Sequence, residues 1–250
     1  MDRHHVGRVV YLSGLVPEVP REELSDHILS RLEVEQILSA SSATVVTLRA
    51  VVVLGSGSTS FEIIRQISER LPVQMIPHWM DASVQPIAIV DVVEMLVGAM
   101  TAPTSTRFFD VGGPEALPYT ELLKRYAAVA DLTRPQVTLP LLPTELVGTL
   151  AGALTDVPNA TVTSLMESLR HDMVVGDDTA AMALLPEGYH RVGLDESLRR
   201  SLADVTDDLP PAERDPMGPM PQDPHWAIGG ENVPLVARVV DAASSLLPGS

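Results

Sequence analysis

Three side chains near the N-terminus have types and spacing suited to chemistry: Ser13, His27 and Arg31. A serine hydroxyl can donate and accept hydrogen bonds, an imidazole exchanges a proton near neutral pH, and a guanidinium binds anions through a planar fork and never deprotonates. Ser13 closes the run Arg8-Val-Val-Tyr-Leu-Ser-Gly-Leu15, which reads as a buried parallel strand. Its hydroxyl then arrives at the C-terminal end of a strand, the edge where open α/β sheets keep their ligands. After a polar linker, Ser25 offers an N-cap, and Ile28, Leu29, Leu32 and Ile37 supply the apolar face of a helix whose charges are Asp26, Arg31 and Glu33. His27 and Arg31 are four apart and share one face of that helix.

The elements that must position these residues follow in order. Residues 44–54 are a β-branched run too continuous for a one-sided sheet and read as a second central parallel strand. Gly55-Ser-Gly-Ser-Thr-Ser60 follows, then helical apolar spacing through Ile63, Ile64 and Ile67, so that strand, glycine loop and helix stand in the order of a dinucleotide turn, here Gly-x-Gly-x-x-Ser. A short strand over Pro72–Ile76 leads to His78-Trp79-Met80 in an irregular connection able to wall a pocket. Val90–Met100 reads as an apolar helix with Asp91 in its first turn, and Arg107–Val111 as a strand stopped by Gly112-Gly113-Pro114. Tyr119–Ala130, Thr144–Leu154, Ala160–Leu169, Asp177–Leu185 and Leu194–Val205 are further helices, and Val233–Leu247 one weak helix.

Taken together, these segments resemble the active-site half of the short-chain dehydrogenase/reductase superfamily, most closely its atypical, extended NAD(P)-binding branch of NmrA-like and complex-I-accessory-like proteins. The resemblance rests on the strand ending in Ser13, on His27-x-x-x-Arg31 where the superfamily has Tyr-x-x-x-Lys, and on three later segments: Leu48–Gly57, Gln85–Val93 and Phe109–Leu122. It covers about residues 8–200 in the family's order. It implies an α/β fold, a partial doubly wound, Rossmann-like parallel sheet with a small, mostly helical region over the substrate. It implies that Ser13 polarises a substrate oxygen, that His27 exchanges its proton and that Arg31 holds the oxyanion's charge. It places Gly55, Ser56 and Gly57 on the substrate side, a purely structural loop being the alternative, next to His78 and Trp79 as candidate pocket wall or rim, and gives Asp91 the task of tying its helix to a neighbouring loop. Two departures qualify the match. No tyrosine has a lysine four residues on, and the family opens with a glycine-turn half for the dinucleotide, whereas this chain begins a few residues before a middle strand. The expectation is therefore no cofactor for the isolated chain, and NAD(P) if another chain supplies the missing half.

Composition narrows the partners. A formal charge of −16, from 17 basic and 33 acidic residues, excludes nucleic acid and anionic membrane as expected partners. The absence of cysteine rules out a disulfide framework and fits a cytoplasmic location. Residues 1–206 read as the substrate-side part of the dehydrogenase-like domain, and 207–250, with eight of the 21 prolines, as an acidic, Pro-rich linker or tail. The expected function is the substrate half of an NAD(P)-dependent oxidoreductase acting on a small apolar metabolite. The alternatives are a cofactor-independent isomerase, cyclase or dehydratase using Ser13 and His27, and a non-catalytic scaffold. A sheet deprived of its early strands leaves an open edge near Arg8–Leu15, which predicts a homodimer or a partner that supplies the missing half.

Overall fold

The computed structural model describes residues 5–139, 144–204, 209–231, 233 and 238. In chain order its elements are β1 (Arg8–Gly14), α1 (Asp26–Ser39), β2 (Thr44–Ala50), β3 (Val53–Leu54), α2 (Thr59–Arg70), β4 (Gln74–Pro77), β5 (Ser83–Val84), β6 (Ile87–Ala88), α3 (Ile89–Thr101), β7 (Arg107–Val111), β8 (Leu117–Pro118), α4 (Tyr119–Val129), β9 (Gln136–Leu139), α5 (Thr144–Leu154), α6 (Asn159–Ser168), α7 (Thr179–Met182) and α8 (Leu194–Ser201). The fold is α/β with short parallel sheets, and it divides into two compact units. The first comprises Met1–Val53, Ser83–Ala116 and His171–Leu194; the second comprises Leu54–Ala82, Leu117–Arg170 and Asp195–Ser250.

In the first unit β1, β2 and β7 form a parallel sheet with β2 in the middle. Ser13 stands opposite Arg49 and Arg49 opposite Asp110. Successive strand residues point to opposite faces, so Val46, Leu48, Phe109 and Val111 share one face, and α3 covers it with Val92, Met95 and Ala99. The other face carries Ser13, Arg49 and Asp110 and receives α1, whose Ile28 packs with Leu15 and whose Glu35 meets Arg49. Being covered on both sides, β2 is mostly apolar where it is buried, through Val45, Val46, Leu48 and Ala50, with Thr47 the polar exception. The run read as one strand over 44–54 is interrupted: β2 ends at Ala50, and Val52 turns its carbonyl to the Ile87 amide (2.9 Å). A run of buried β-branched residues contains no marker for such a bend.

β1 pairs on one side only among the described residues. Thr44 N donates to Gly7 O (3.0 Å) and Leu15 N to Ala50 O (2.8 Å), so the odd-numbered residues face β2. The amides and carbonyls of Arg8, Val10, Leu12 and Gly14 therefore point away from it. Beyond β7 the chain is bolted down. A Cβ on Gly113 would stand 1.9 Å from Pro86 O, so only glycine allows this approach, and Gln85 Nε2 then donates to Gly113 O (2.7 Å).

The second unit is mostly helical, with a parallel pair β4–β9. Phe61 of α2 meets Tyr126 of α4 edge-on, 6.2 Å between centroids. Residues 209–231, from the segment read as linker or tail, lie in this unit, with Met217 and Ala227 fully buried. The weak helix expected over Val233–Leu247 falls outside the described residues except at positions 233 and 238.

Candidate active site

The C-terminal end of β1 and the first two turns of α1 meet in the first unit. Ser25 caps α1, its Oγ accepting from Ile28 N (3.4 Å), and this fixes the direction in which the helix leaves. A Cβ on Gly14 would lie 3.5 Å from Ile28 Cδ1 and 4.0 Å from Arg31 Cδ, so the helix rests directly on the end of the strand. Arg31 Nη1 donates to Leu12 O (3.3 Å), the carbonyl that faces away from β2. Arg31 thus spends one of its five donors on the unpaired side of β1. Ser13 is 5% exposed and His27 half-buried. Burial, and then the Arg31 charge, hold the His27 pKa below its ordinary value, so the imidazole is neutral at pH 7 and able to accept a proton. No hydrogen bond joins the Ser13 and His27 side chains among the described contacts.

Three residues that the sequence reading did not single out share this sheet face. Arg49, between Ser13 and Asp110, forks onto Glu35 through Nε–Oε2 (3.0 Å) and Nη2–Oε1 (2.8 Å) and lies 3.6 Å above the Phe108 ring. Burial raises the Asp110 pKa against the opposing pull of Arg49, with Glu35 and Glu18 adding to the rise. Asp110 Oδ1 is buried without a hydrogen-bond partner among the described residues. The available signal was the register: once Ser13 ends a parallel strand, the residues level with it on neighbouring strands belong to the same edge. Asp91, by contrast, is fully buried and structural, its carboxylate accepting from Tyr189 Oη (2.8 Å) and Val192 N (3.0 Å).

The residues placed on the substrate side fall in the second unit. Ser56 N donates to Met217 O (2.8 Å), Gly57 N to Ala227 O (3.3 Å), and Ser56 Oγ to Ala227 O (3.2 Å). The glycine loop therefore has these donors engaged by carbonyls some 160–170 residues further on. The same segment continues along α2, where Gln66 Nε2 donates to Trp226 O (2.7 Å), Arg65 Nη2 to Ile228 O (3.3 Å) and Arg70 Nη2 to Gly229 O (3.0 Å). Glu62 is fully buried beneath it. Its Oε2 accepts from Gly229 N and Gln66 Nε2 (both 3.2 Å), while Oε1 has only the Arg65 guanidinium at 3.5 Å, without hydrogen-bond alignment. Burial pushes the Glu62 pKa to about 7, against Arg65 and the two hydrogen bonds. His78 is exposed in a single 3₁₀ turn, His78–Asp81, and the Trp79 side chain lies outside the description.

No protein-family model and no curated protein matches the chain. Solved structures do. RMD from Pseudomonas aeruginosa, complexed with NADPH, superposes with a TM-score of 0.54 at 15% identity over 79% of this chain and 66% of its own. WbmG from Bordetella bronchiseptica, in complex with NAD and UDP, gives 0.55 at 15% identity over 80% and 59%. The UDP-glucose 4-epimerase of Thermus thermophilus, complexed with NAD, gives 0.52 at 18% identity over 79% and 63%. The chain thus spans about three-fifths to two-thirds of the length of these structures. What it shares with them is the fold: a Rossmann-like α/β arrangement, present here as a partial sheet. Among the described residues no helix is long and apolar enough to cross a membrane, and no group of His, Cys, Asp and Glu is arranged to hold a metal.

Proposed function

We propose that this chain is the substrate-side part of an NAD(P)-dependent oxidoreductase of the short-chain dehydrogenase/reductase kind, acting on a small, fairly apolar metabolite. The supporting observation is the seating of α1 on the end of β1, which sets a buried serine hydroxyl and a neutral histidine on adjoining elements at the ligand edge of a parallel sheet. The structural neighbours complexed with NAD or NADPH lend the same fold to this reading. Ser13 Oγ would donate to the substrate oxygen and polarise it, and His27 would exchange the proton of that oxygen. Arg31, with one donor on Leu12 O, keeps the rest for negative charge developing there.

The dinucleotide itself does not fit the residues described. Pyrophosphate binding uses free amides at a glycine turn and helix N-terminus, and the Gly55–Ser60 loop has its Ser56 and Gly57 amides committed to Met217 and Ala227. On this reading the cofactor would be held by strands that pair with the free edge of β1. The committed loop also favours a second reading, in which Ser13 and His27 move protons without a cofactor, as in an isomerase or dehydratase.

Two measurements test these readings. Calorimetric titration of the pure chain with NADH and NADPH is expected to show no binding at micromolar affinity; tight binding would make the loop a cofactor site. Ser13→Ala and His27→Ala are each expected to lower turnover about 10²–10⁴-fold while leaving the circular dichroism unchanged. Equal turnover in wild type and both variants would remove the chemistry from this edge.

A further inference from the structure

The second unit holds a partly open cavity of about 90 Å³ that has no part in the chemistry above. Five elements turn apolar side chains on it, among them Ile63 and Ile67 of α2, Ile76 of β4, Leu123 of α4, Leu154 of α5 and Met166 of α6. None of the described residues lining it is charged. Two are polar. Gln74 is already committed, donating to Ser68 Oγ (3.2 Å) and accepting from Gln136 Nε2 (3.0 Å). Tyr119 is 5% exposed, its phenol makes no hydrogen bond among the described contacts, and burial raises its pKa so that it stays protonated. The wall on the β4 side reaches solvent through Met75, which is half exposed. Met80 and Met166 supply unbranched, adaptable side chains to the lining.

Each feature restricts the occupant. An uncharged lining leaves an ion without compensation for its lost hydration. The volume is far below the roughly 300–1,000 Å³ of pockets for drug-sized ligands, which excludes nucleotides and sugar nucleotides. Dry apolar cavities of about 150 Å³ take up benzene, so a smaller one with a methionine-containing wall suits a single ring or a short branched chain. We propose that this cavity is a binding site for a small, uncharged, apolar molecule no larger than one aromatic ring, carrying at most one hydrogen-bond acceptor.

The test uses the full chain labelled at its isoleucine and leucine methyl groups, with benzene as the probe and benzoate as its charged counterpart. Benzene is expected to shift the Ile63, Ile67, Ile76 and Leu154 methyl resonances saturably and to raise the melting temperature, and benzoate to do neither. Ala151→Leu, which places a larger side chain into the lining, is expected to abolish the shifts. Should that variant fail to fold, Leu123→Ala enlarges the cavity and is expected to lower the benzene concentration at half-saturation. Non-saturating shifts, equal shifts with benzoate, shifts that survive in a folded Ala151→Leu, or a half-saturation unmoved by Leu123→Ala would overturn the proposal.

Discussion

The two units handle their main-chain donors and acceptors in opposite ways. In the first, the main-chain donors and acceptors of Arg8, Val10, Leu12 and Gly14 face away from β2, met among the described contacts only by Arg31 at Leu12 O. Asp110 Oδ1 lies buried without a hydrogen bond on the same sheet. In the second, the Ser56 and Gly57 amides and most of the polar side of α2 are engaged by residues 217–231, mainly through carbonyls, although Glu62 Oε1 there is likewise buried without a hydrogen bond. An α/β edge that keeps unsatisfied groups is suited to receiving a strand or a ligand, whereas one whose donors are already engaged must first release a piece of its own chain. That difference is why the proposed chemistry is placed at Ser13 and His27, with the Gly55–Ser60 loop left out of it.

The largest way to break the contrast is to loosen the segment over α2. Asp156 holds it, accepting from Arg70 Nη2 (2.7 Å), Arg238 Nη1 (2.9 Å) and Glu231 N (2.5 Å). Gly230, with φ of +73°, brings the main chain so close that a Cβ there would stand 2.0 Å from Asp156 Oδ2. Burial alone would raise the Asp156 pKa, but the hydrogen bonds from Arg238 and Arg70 outweigh it and lower it. Asp156→Ala leaves two guanidinium groups without their carboxylate and is expected to cost about 3 kcal/mol in urea denaturation. It should also speed amide exchange at Ser56 and Gly57. Unchanged exchange there would mean that the loop is held independently of Asp156.

A smaller effect comes from Glu62. The native state keeps its proton up to about pH 7, while the unfolded chain releases it near the ordinary 4.5. Between those values the native state binds more protons, so stability falls as pH rises through the window. Glu62→Gln keeps an acceptor for Gly229 N without the charge. It is expected to be near neutral at pH 4.5 and to stabilise by about 2 kcal/mol at pH 8. A variant less stable than wild type at pH 8 would show that the carboxylate is needed.

The smallest expected effect sharpens the first unit. The His27 pKa lies below its usual 6.5, so its contribution to stability is present above pH 6.5 and is lost as pH falls from there through the folded value. Arg31→Ala removes the repelling charge but leaves the burial. Imidazole resonances should then titrate higher than in wild type while staying below the free value. A titration unmoved by Arg31→Ala would separate the two residues.

The sequence made β1, the Ser25-capped α1, α2, α3 and α4 legible, because strand runs, caps and helical spacing are local signals. It also showed that Ser13 ends a strand and that α1 follows it. What it did not show depends on distant chain. The break after Ala50 is set by pairing of Val52 with Ile87. Arg49 and Asp110 become neighbours of Ser13 only through the register of three strands. The engagement of Ser56 and Gly57 was hidden because proline-rich residues 209–231 have no periodicity, and they bind through carbonyls that every residue possesses. The burial of Glu62 in an otherwise amphipathic helix has the same origin.

The proposal that β1 offers a pairing edge is tested most directly by residue-resolved amide exchange across Arg8–Gly14, with the mass followed by light scattering. In dilute monomer, Val9, Tyr11 and Ser13 are expected to be protected and Val10, Leu12 and Gly14 to exchange fast. Protection of the second set is expected to appear as the concentration rises and the chain pairs. Uniform, concentration-independent protection in a monomer, or alternation that persists in a dimer, would contradict the account.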